Sequence, residues 1–512
     1  MRPHLFILAI SLCCPLPGGE NEKFKQPELI IDEKFTIELV AAPPLVEHPM
    51  LATIDPEGRM FISESDGQNL QKAELLKQRP RFVRMLEDTD RDGVFDKSTI
   101  FADKMVMPEG ALWHQGALYI ISSPYLWRLE DTDGDGVADR RDKIMGYMEF
   151  DGRANQHGPW LGPNGLLYFT GGIFGYDLVG SDGVHAAKGT SAGVFSCRTD
   201  GSDIRVVCHA GINPVEVAFT PWGDMLGTCA IFDSVGGRHD SLSHWIHGGQ
   251  YGPKDYGSTR EGAASLKRTG YRLGTVVRWG QVAPAGLLRY RGEHLGKEYR
   301  DDYFSCHFNT HAVHRSTLLS TGSTFGARDE VFLHSPSIDF HPTDVMEDHD
   351  GSLLVIDTGG WLNWGCPTSK LAKPQLLGSI YRIRRKDGAK TTDPLGIKVD
   401  WKGASHAALA RLLADQRPLI RDRAREALAA RGQEAAPAVI AFLTKSKDPE
   451  DRARAVWTLS RAGGPRAIEA LRGALSDSHP GVRQAAARSL GMARDKNAVK
   501  ALCRIVTEDA QG

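Results

Sequence analysis

The chain has 512 residues, 41% of them hydrophobic and 25% charged, and its 62 Lys and Arg nearly balance its 64 Asp and Glu. This is the composition of a soluble protein with several domains or one large repeat array. Beyond the N-terminus, no segment is long and apolar enough to span a membrane. Residues 401–512 hold 20 Lys and Arg against 12 Asp and Glu, so the first 400 residues are acidic overall. We therefore expect a domain boundary near residue 400.

The N-terminus resembles a secretory signal. Residues 1–4 form a short basic start, residues 5–12 are apolar, and a Pro- and Gly-rich segment follows. The apolar stretch is too short for a membrane-spanning helix, so we assign residues 1–20 as a signal peptide and expect a periplasmic or secreted protein. Cys13 and Cys14 resemble a lipoprotein acceptor only weakly, because Leu12 stands where a small residue is expected.

Two acidic segments nearly repeat each other 43 residues apart, EDTDRDGVFD at 87–96 and EDTDGDGVAD at 130–139. Each places Asp at positions 1, 3, 5 and 9 of a loop with Gly at position 6, which is the ligand order of a calcium loop. Position 12 lacks the usual Glu, so we expect weaker or water-completed coordination; the alternative is a solvated acidic turn. The predicted ligands are Asp88, Asp90, Asp92, Asp96, Asp131, Asp133, Asp135 and Asp139.

Between residues 35 and 385 the chain repeats a turn ending in Gly followed by a short β-rich run. These glycines lie 58, 49, 58 and 128 residues apart, and residues 298–318 fill the double gap with a degenerate unit. The turn glycines are Gly58, Gly116, Gly165, Gly223 and Gly351. Six units of this length predict a mostly β fold, a six-bladed β-propeller over residues 28–388.

Residues 401–512 change to Ala, Leu and Arg at helical spacing, with a 31-residue repeat in Leu428, Leu459 and Leu490. The predicted helices are 418–430, 449–462 and 480–492, interleaved with 436–444, 466–475 and 497–506. This pattern is typical of a small α-solenoid of HEAT-like repeats. Such repeats usually bind proteins, although a purely structural role is the alternative, and no aromatic pattern suggests nucleic acid.

The six cysteines beyond residue 20 are dispersed, with neither a Cys-x-x-Cys pair nor a Cys-x-x-Cys-His motif. The chain therefore encodes neither a zinc ribbon nor a covalently bound haem. Cys197 and Cys208 either pair across neighbouring strands or remain buried thiols.

Several segments of the predicted propeller resemble the soluble quinoprotein glucose/sorbosone dehydrogenases. More closely, they resemble a planctomycete-type subgroup of secreted proteins labelled membrane-bound dehydrogenases, in which this propeller is joined to HEAT-like repeats. The matching segments are NQHGPWLGPNGLLY at 155–168, GINPVEVAF at 211–219, HGGQYG at 247–252, FNTH at 308–311, PTDV at 342–345, DTGGW at 357–361, CPTS at 366–369 and LGSIYR at 377–382.

The resemblance implies an oxidoreductase that oxidises a sugar or other alcohol, with His157 as the base that accepts the hydroxyl proton. It also implies pyrroloquinoline quinone as cofactor and Ca²⁺ as a Lewis acid. Two departures from the family pattern concern the quinone: Ile212 and Val215 replace the Arg and Gln of its cofactor-binding segment, and Ile cannot pair with a carboxylate. A structural channel histidine is the alternative for His157.

Further candidates lie elsewhere in the predicted channel. By resemblance, Asn213, His239 and Asp240 are cofactor-side residues, while Asp344 and Trp361 line the channel mouth, Trp361 as a surface for a sugar ring. We expect His157, Asn213 and Asp344 to converge at one mouth. If residues 307–314 form one strand, His307 and His311 share a face that excludes His314, which predicts no metal site there.

Three functions remain open at this point. The first is a dehydrogenase of the kind just described, which would pass electrons to a separate cytochrome or other protein. The second is a non-catalytic, calcium-stabilised propeller that binds carbohydrate or a protein partner, with the helical tail recruiting that partner. The third is a hydrolase or lactonase built around a channel calcium ion.

Overall fold

The computed structural model describes residues 24–151, 156–233, 237–251, 274–360 and 373–508. The predicted signal peptide and Trp361 lie outside these residues. No helix within these ranges is both long and apolar enough to cross a bilayer.

Residues 30–385 form six antiparallel sheets arranged as the blades of a β-propeller, as predicted. Blade 1 contains Pro49–Ile54, Met60–Glu64, Arg81–Glu87 and Lys97–Met105. Blade 2 contains Leu112–His114, Ala117–Ser122, Tyr125–Glu130 and Arg140–Met148. Blade 3 contains Gln156–Leu161, Leu167–Gly171, Gly193–Cys197 and Arg205–His209. Blade 4 contains Asn213–Phe219, Met225–Asp233, Gly237–Trp245 and Val277–Arg278. Blade 5 contains Pro284–Arg289, Tyr303–His307, Ala312–Ser320 and Phe325–His334, and blade 6 contains Pro342–Glu347, Leu353–Asp357 and Ser379–Arg385.

Strands from the N-terminal segment complete the last two blades. Phe35–Ala41 pairs antiparallel with Ser379–Arg385 and becomes the outer strand of blade 6. Ile30–Ile31 pairs with the outer strand of blade 5. The two ends of the propeller sequence are therefore hydrogen-bonded to each other, which closes the ring and removes a free sheet edge.

Blade 2 has two strands that the sequence did not predict. The hairpin of Tyr176–Gly180 and His185–Gly189 lies within the sequence of blade 3 but pairs with Arg140–Met148 at the outer edge of blade 2. It joins two adjacent blades.

Six apolar clusters fill the spaces between adjacent blades. Each contains buried side chains from both of its neighbouring sheets, so adjacent blades share their cores. In ring order from the blade 1–2 interface, representative members are Phe61, Phe169, Trp245, Tyr303, Phe304 and Ile356. Cys197 and Cys208 lie in these cores as free thiols, so the disulfide alternative does not hold.

The chain continues into an array of short helices, and one further helix precedes it in blade 1. The helices are α1 (Lys72–Gln78), α2 (His406–Leu412), α3 (Pro418–Ala430), α4 (Ala436–Lys445), α5 (Pro449–Ala462), α6 (Pro465–Ala474), α7 (Pro480–Met492) and α8 (Val499–Glu508). The bounds of α3, α5 and α7 are those predicted, because a proline at the first position of each fixes its start.

The repeated arginine of this array has a structural role in each repeat. Arg421, Arg452 and Arg483 each donate to two carbonyl oxygens in the loop that precedes their own helix. Because these loop carbonyls lie outside the hydrogen bonding of the helix, the guanidinium donors of the repeated arginine hold the turn between helices.

The helical array packs against one end of the propeller. Trp457 of α5 is buried, and its indole N–H donates to the carbonyl of Pro221 at 3.0 Å. Arg461 donates to the carbonyls of Gly162 and Pro163, and Arg488 of α7 lies 2.9 Å from the Asp224 carboxylate. The helices thus contact the turns after the innermost strands of blades 3 and 4.

Candidate functional site

The innermost strands of the six blades surround a central channel. A proline lies in or just before each of them, and in blades 1, 4, 5 and 6 the strand register shifts immediately after it. Such bulges often occur next to functional sites, where they redirect the following side chains. The prolines are Pro49, Pro108, Pro159, Pro214, Pro284 and Pro342.

His157 is the second residue of the innermost strand of blade 3 and is 5% exposed. Its Nδ1 lies 3.9 Å from a carboxylate oxygen of Glu109, whose other oxygen lies 3.9 Å from the guanidinium of Arg81. Neither ring nitrogen of His157 has a hydrogen-bond partner among the described residues. Burial lowers the pKa of His157 to about 3, so the imidazole is neutral and its contact with Glu109 is not an ion pair.

Burial also raises the pKa of the Glu109 carboxyl to about 7, although the Arg81 guanidinium acts in the opposite direction. A carboxyl group that titrates near neutral pH can hold or release a proton under working conditions. Glu109 and His157 therefore form a pair of acid and base groups with separated proton affinities, enclosed between blades 2 and 3.

Backbone contacts fix this pair. The Gly158 N–H donates to the Glu109 carbonyl at 2.9 Å, which joins the start of the blade 3 strand to the segment before blade 2. Gly110 has a φ of +129°, and a Cβ there would overlap the backbone of Gly158. Only glycine allows this approach. On the other side, the Gln156 side chain accepts from Ser123 at 2.8 Å.

Two further buried carboxyl groups lie in the channel, Glu216 on blade 4 and Asp344 on blade 6. Asp344 accepts from the Ala52 N–H of blade 1 at 2.9 Å and from the Val345 N–H at 2.8 Å. Burial raises the pKa of Asp344 to about 7. Burial raises the pKa of Glu216 well above its usual value, with added repulsion from Asp344 and from Glu109. Asp344 and Glu109 thus each act electrostatically on Glu216 across the channel.

The other predicted cofactor-side residues have different surroundings. Asn213 begins the innermost strand of blade 4, and its side-chain oxygen has no hydrogen-bond partner among the described residues. His239 and Asp240 lie on the third strand of that blade, two strands away from the channel. The Asp240 carboxylate accepts from the Ala283 N–H at 2.8 Å and so joins blade 4 to the segment that enters blade 5.

The expected arrangement of the histidine cluster is wrong. A short helical turn at Phe308–Thr310 interrupts the strand, and His311 has a left-handed backbone with φ +55°. His307 and His314 consequently lie on paired strands with their rings stacked, 4.0 Å between centroids. His314 Nδ1 is 2.8 Å from Asp329, which explains its orientation.

The two acidic loops connect the third and fourth strands of blades 1 and 2. In each loop three carboxylates bring one oxygen to within 4.8 Å of the others: Asp88, Asp90 and Asp92, and Asp131, Asp133 and Asp135. The fourth predicted ligands are engaged elsewhere, since Asp96 and Asp139 accept from the backbone and hydroxyl of Thr89 and Thr132 respectively.

Glu109 was not among the predicted site residues, although a pattern in the sequence marks its position. An acidic residue follows within two positions of the innermost-strand proline in three blades: Pro108 and Glu109, Pro214 and Glu216, Pro342 and Asp344. Aligning the blades on these prolines places the three carboxyl groups at one level of the channel.

The residues present fit calcium better than a quinone bound in the dehydrogenase manner. Carboxylate oxygens are the donors that Ca²⁺ prefers, and both the channel and the loops supply them. Ile212, however, has an apolar side chain, and its N–H donates to the Ala230 carbonyl. Val215 is buried and apolar as well. Neither can bind a cofactor carboxylate.

Three of the similar solved structures are sugar dehydrogenases at 11–14% identity. The PQQ domain of a pyranose dehydrogenase from Coprinopsis cinerea covers 70% of this chain and 98% of its own, with 11% identity and a TM-score of 0.48. The match to the PQQ-bound aldose sugar dehydrogenase of Streptomyces coelicolor covers 69% of this chain and 100% of that protein, with 14% identity and a TM-score of 0.46. The match to the soluble aldose sugar dehydrogenase of Escherichia coli in its apo-form covers 69% of this chain and 100% of that protein, with 11% identity and a TM-score of 0.44.

No curated protein matches the chain. Residues 436–512 match the model of the HEAT repeats, in agreement with helices α4–α8. Residues 22–387, which span all six blades, match the model described as "Domain of unknown function (DUF7133)". The chain therefore belongs to the DUF7133 family, here represented by a six-bladed β-propeller followed by HEAT repeats.

Proposed function

We propose that the protein is an oxidoreductase that oxidises a sugar or another alcohol in the propeller channel, with His157 as the base. One observation carries this proposal: His157 is enclosed, neutral and without a hydrogen-bond partner among the described residues. A free imidazole lone pair in a site shielded from water can accept the proton of a substrate hydroxyl. The likeness of residues 155–168 and 211–219 to the quinoprotein dehydrogenases supports the same role.

In this proposal the hydroxyl proton passes to His157, and the hydride leaves the carbinol carbon for a diffusible quinone-type oxidant, which is reduced to its quinol and then passes its electrons singly to the protein acceptor. The Glu109 carboxylate, 3.9 Å from the ring, has the higher pKa of the two groups, so it would stabilise the imidazolium formed in the step and then take over its proton. No step is assigned to pyrroloquinoline quinone, because Ile212 and Val215 do not fit it. We propose a separate electron acceptor, a cytochrome or another protein, and export of the chain by its N-terminal segment.

The test is dye reduction by the purified full-length protein across aldoses and simple alcohols, with Ca²⁺ and with or without pyrroloquinoline quinone. We expect His157→Asn to lower kcat at least a hundredfold, in the range typical of a lost general base. His185→Asn, on the exposed hairpin of blade 2, is the control and should retain activity. Absence of dye reduction with every substrate, or an active His157→Asn variant, would overturn the proposal.

A second candidate is a calcium-dependent hydrolase or lactonase, favoured by the repulsion that Asp344 and Glu109 exert on Glu216. A divalent cation among these carboxyl groups would remove the repulsion and activate a water molecule. Lactone hydrolysis that needs Ca²⁺ and is lost in Glu216→Gln would favour this function. Calcium stabilisation with neither activity would instead favour a non-catalytic binding protein.

We further propose that both acidic loops bind Ca²⁺ as structural ions, with Asp88, Asp90 and Asp92 as ligands in blade 1 and their counterparts in blade 2. These loops lie between outer strands, so their ions would stabilise blades rather than take part in the channel chemistry.

A further inference from the structure

The central channel ends in a chamber where the helical array packs against the propeller. This cavity has a volume of about 840 Å³, which is within the range of small-molecule sites. Every blade contributes residues from its innermost strand to the walls, and helices α3 and α5 form the floor. The wall residues from blades 1 to 6 include Thr53, Leu112, Trp160, Val217, Leu287 and Met346.

The chamber has an excess of positive charge. Six arginines and four carboxylates line it, and the arginines are Arg289, Arg291, Arg421, Arg423, Arg425 and Arg454. Burial raises the pKa of Glu347, one of the four carboxyl groups, while the guanidinium groups of Arg291 and Arg421 act in the opposite direction.

Two of these arginines have no carboxylate partner among the described residues. Arg421 donates only to the carbonyl oxygens of Asp415, Gln416 and Arg291. Arg423 donates to the Leu395 carbonyl and lies over the Trp401 ring at 4.3 Å. Arg421 is buried and Arg423 is half-buried, and only more distant carboxylates act on them, so a direct ion pair with an incoming anion would be favourable.

Arg425 presents a free donor. Its terminal nitrogen binds Asp422 at 2.8 Å, while its Nε is buried and has no hydrogen-bond partner among the described residues. Arg291 is 37% exposed although it lies at the domain junction, because that surface faces the chamber. Both side chains line the same cavity.

The apolar lining restricts the kind of anion. Trp160, Trp401 and Trp457 line the same cavity as the arginines. Aromatic faces beside guanidinium groups suit a molecule with a compact organic body and an acidic group. The organic body would pack against the tryptophan rings, and the acidic group would pair with the arginines.

We propose that this chamber binds a small organic anion whose carboxylate or phosphate group pairs with Arg423 and Arg425. This inference does not depend on His157 or on any redox activity. It assigns the helical array a role inside the molecule: α3 completes a ligand site that the propeller alone lacks.

The test is calorimetric titration of the full-length protein with citrate and with glucose 6-phosphate, with uncharged glucose as the reference. We expect at least one anion to bind and glucose to bind at least tenfold more weakly. Arg425→Gln and Arg423→Gln should each weaken binding about tenfold, which is the loss of one charge-assisted pair. Arg411→Gln, an exposed arginine on α2 outside the cavity, is the matched control and should bind as wild type.

A volume-filling variant tests the site without a charge change. Ala430→Phe, at the exposed end of α3 in the cavity wall, should block binding while circular dichroism and the melting temperature stay unchanged. The proposal is overturned if neither anion binds, if the two arginine variants bind as wild type, or if Arg411→Gln weakens binding equally. A preference for citrate or for the sugar phosphate distinguishes carboxylate from phosphate recognition.

Discussion

The substitution Asp357→Asn should make the protein more stable at alkaline pH. Asp357 is buried at the end of the second strand of blade 6, and one of its oxygens accepts from both the His341 and the Gly359 N–H groups, at 3.0 and 3.1 Å. An asparagine oxygen can accept the same two hydrogen bonds. The substitution therefore removes the charge and keeps the contacts.

The size of the expected change in unfolding free energy follows from the raised pKa of the Asp357 carboxyl. Burial raises the pKa of Asp357 from 3.8 to about 7. In the folded state the protonated form is favoured, so the folded protein holds one more proton than the unfolded chain between about pH 4 and pH 7. Its stability falls as pH rises through this range, by about 4 kcal/mol for a shift of roughly 3 pH units. The asparagine variant has no such loss.

The assay is urea unfolding of both proteins at intervals from pH 4 to pH 8. We expect equal unfolding free energies near pH 4 and an advantage of several kcal/mol for Asp357→Asn at pH 8. Because other buried carboxyl groups titrate too, the difference between the two proteins is the informative quantity. Asp182→Asn, in an exposed turn, is the control. A difference that does not change with pH, or a variant that is less stable at pH 8, would refute the reasoning.

Three further outcomes are expected. Trp457→Ala should lower the unfolding free energy of the full chain by about 3–5 kcal/mol and speed proteolysis between propeller and helices, because it leaves a cavity at their interface; an unchanged digestion rate would contradict this. Chelation of calcium should lower the melting temperature of the wild type but not of the double variant Asp90→Asn and Asp133→Asn, which differential scanning fluorimetry would measure. Gly110→Ala should destabilise the protein by about 2 kcal/mol or more, through the overlap with Gly158, and chemical denaturation that shows no loss would count against the tight contact.

Local features of the fold were predictable from the sequence. The spacing of the turn glycines predicted six blades, and the prolines at Pro418, Pro449 and Pro480 predicted the helix starts, because both signals depend on backbone geometry that one residue type satisfies. His157 was selected by its resemblance to a dehydrogenase segment and not by its place in the fold; it lies on the innermost strand of blade 3.

Contacts between distant segments could not be predicted in the same way. Glu109 contacts His157 from another blade, and Trp457 binds the Pro221 carbonyl, a group that every residue possesses. The stacking of His307 and His314 depends on one left-handed turn residue, which reverses the faces assigned by strand alternation. The hairpin that enlarges blade 2 was missed because strand propensity does not specify which neighbour a strand joins.

The pairing of Phe35–Ala41 with Ser379–Arg385 has a consequence for biosynthesis. The Thr36 hydroxyl and the Arg384 carbonyl that it contacts are 348 residues apart in the chain. A ribosome must therefore complete almost the whole propeller before its first long strand finds a neighbour, and until then the last blade lacks its outer edge. A chain released before Ser379–Arg385 is synthesised would leave the ring of blades open, so correct folding of this protein depends on synthesis of its last blade.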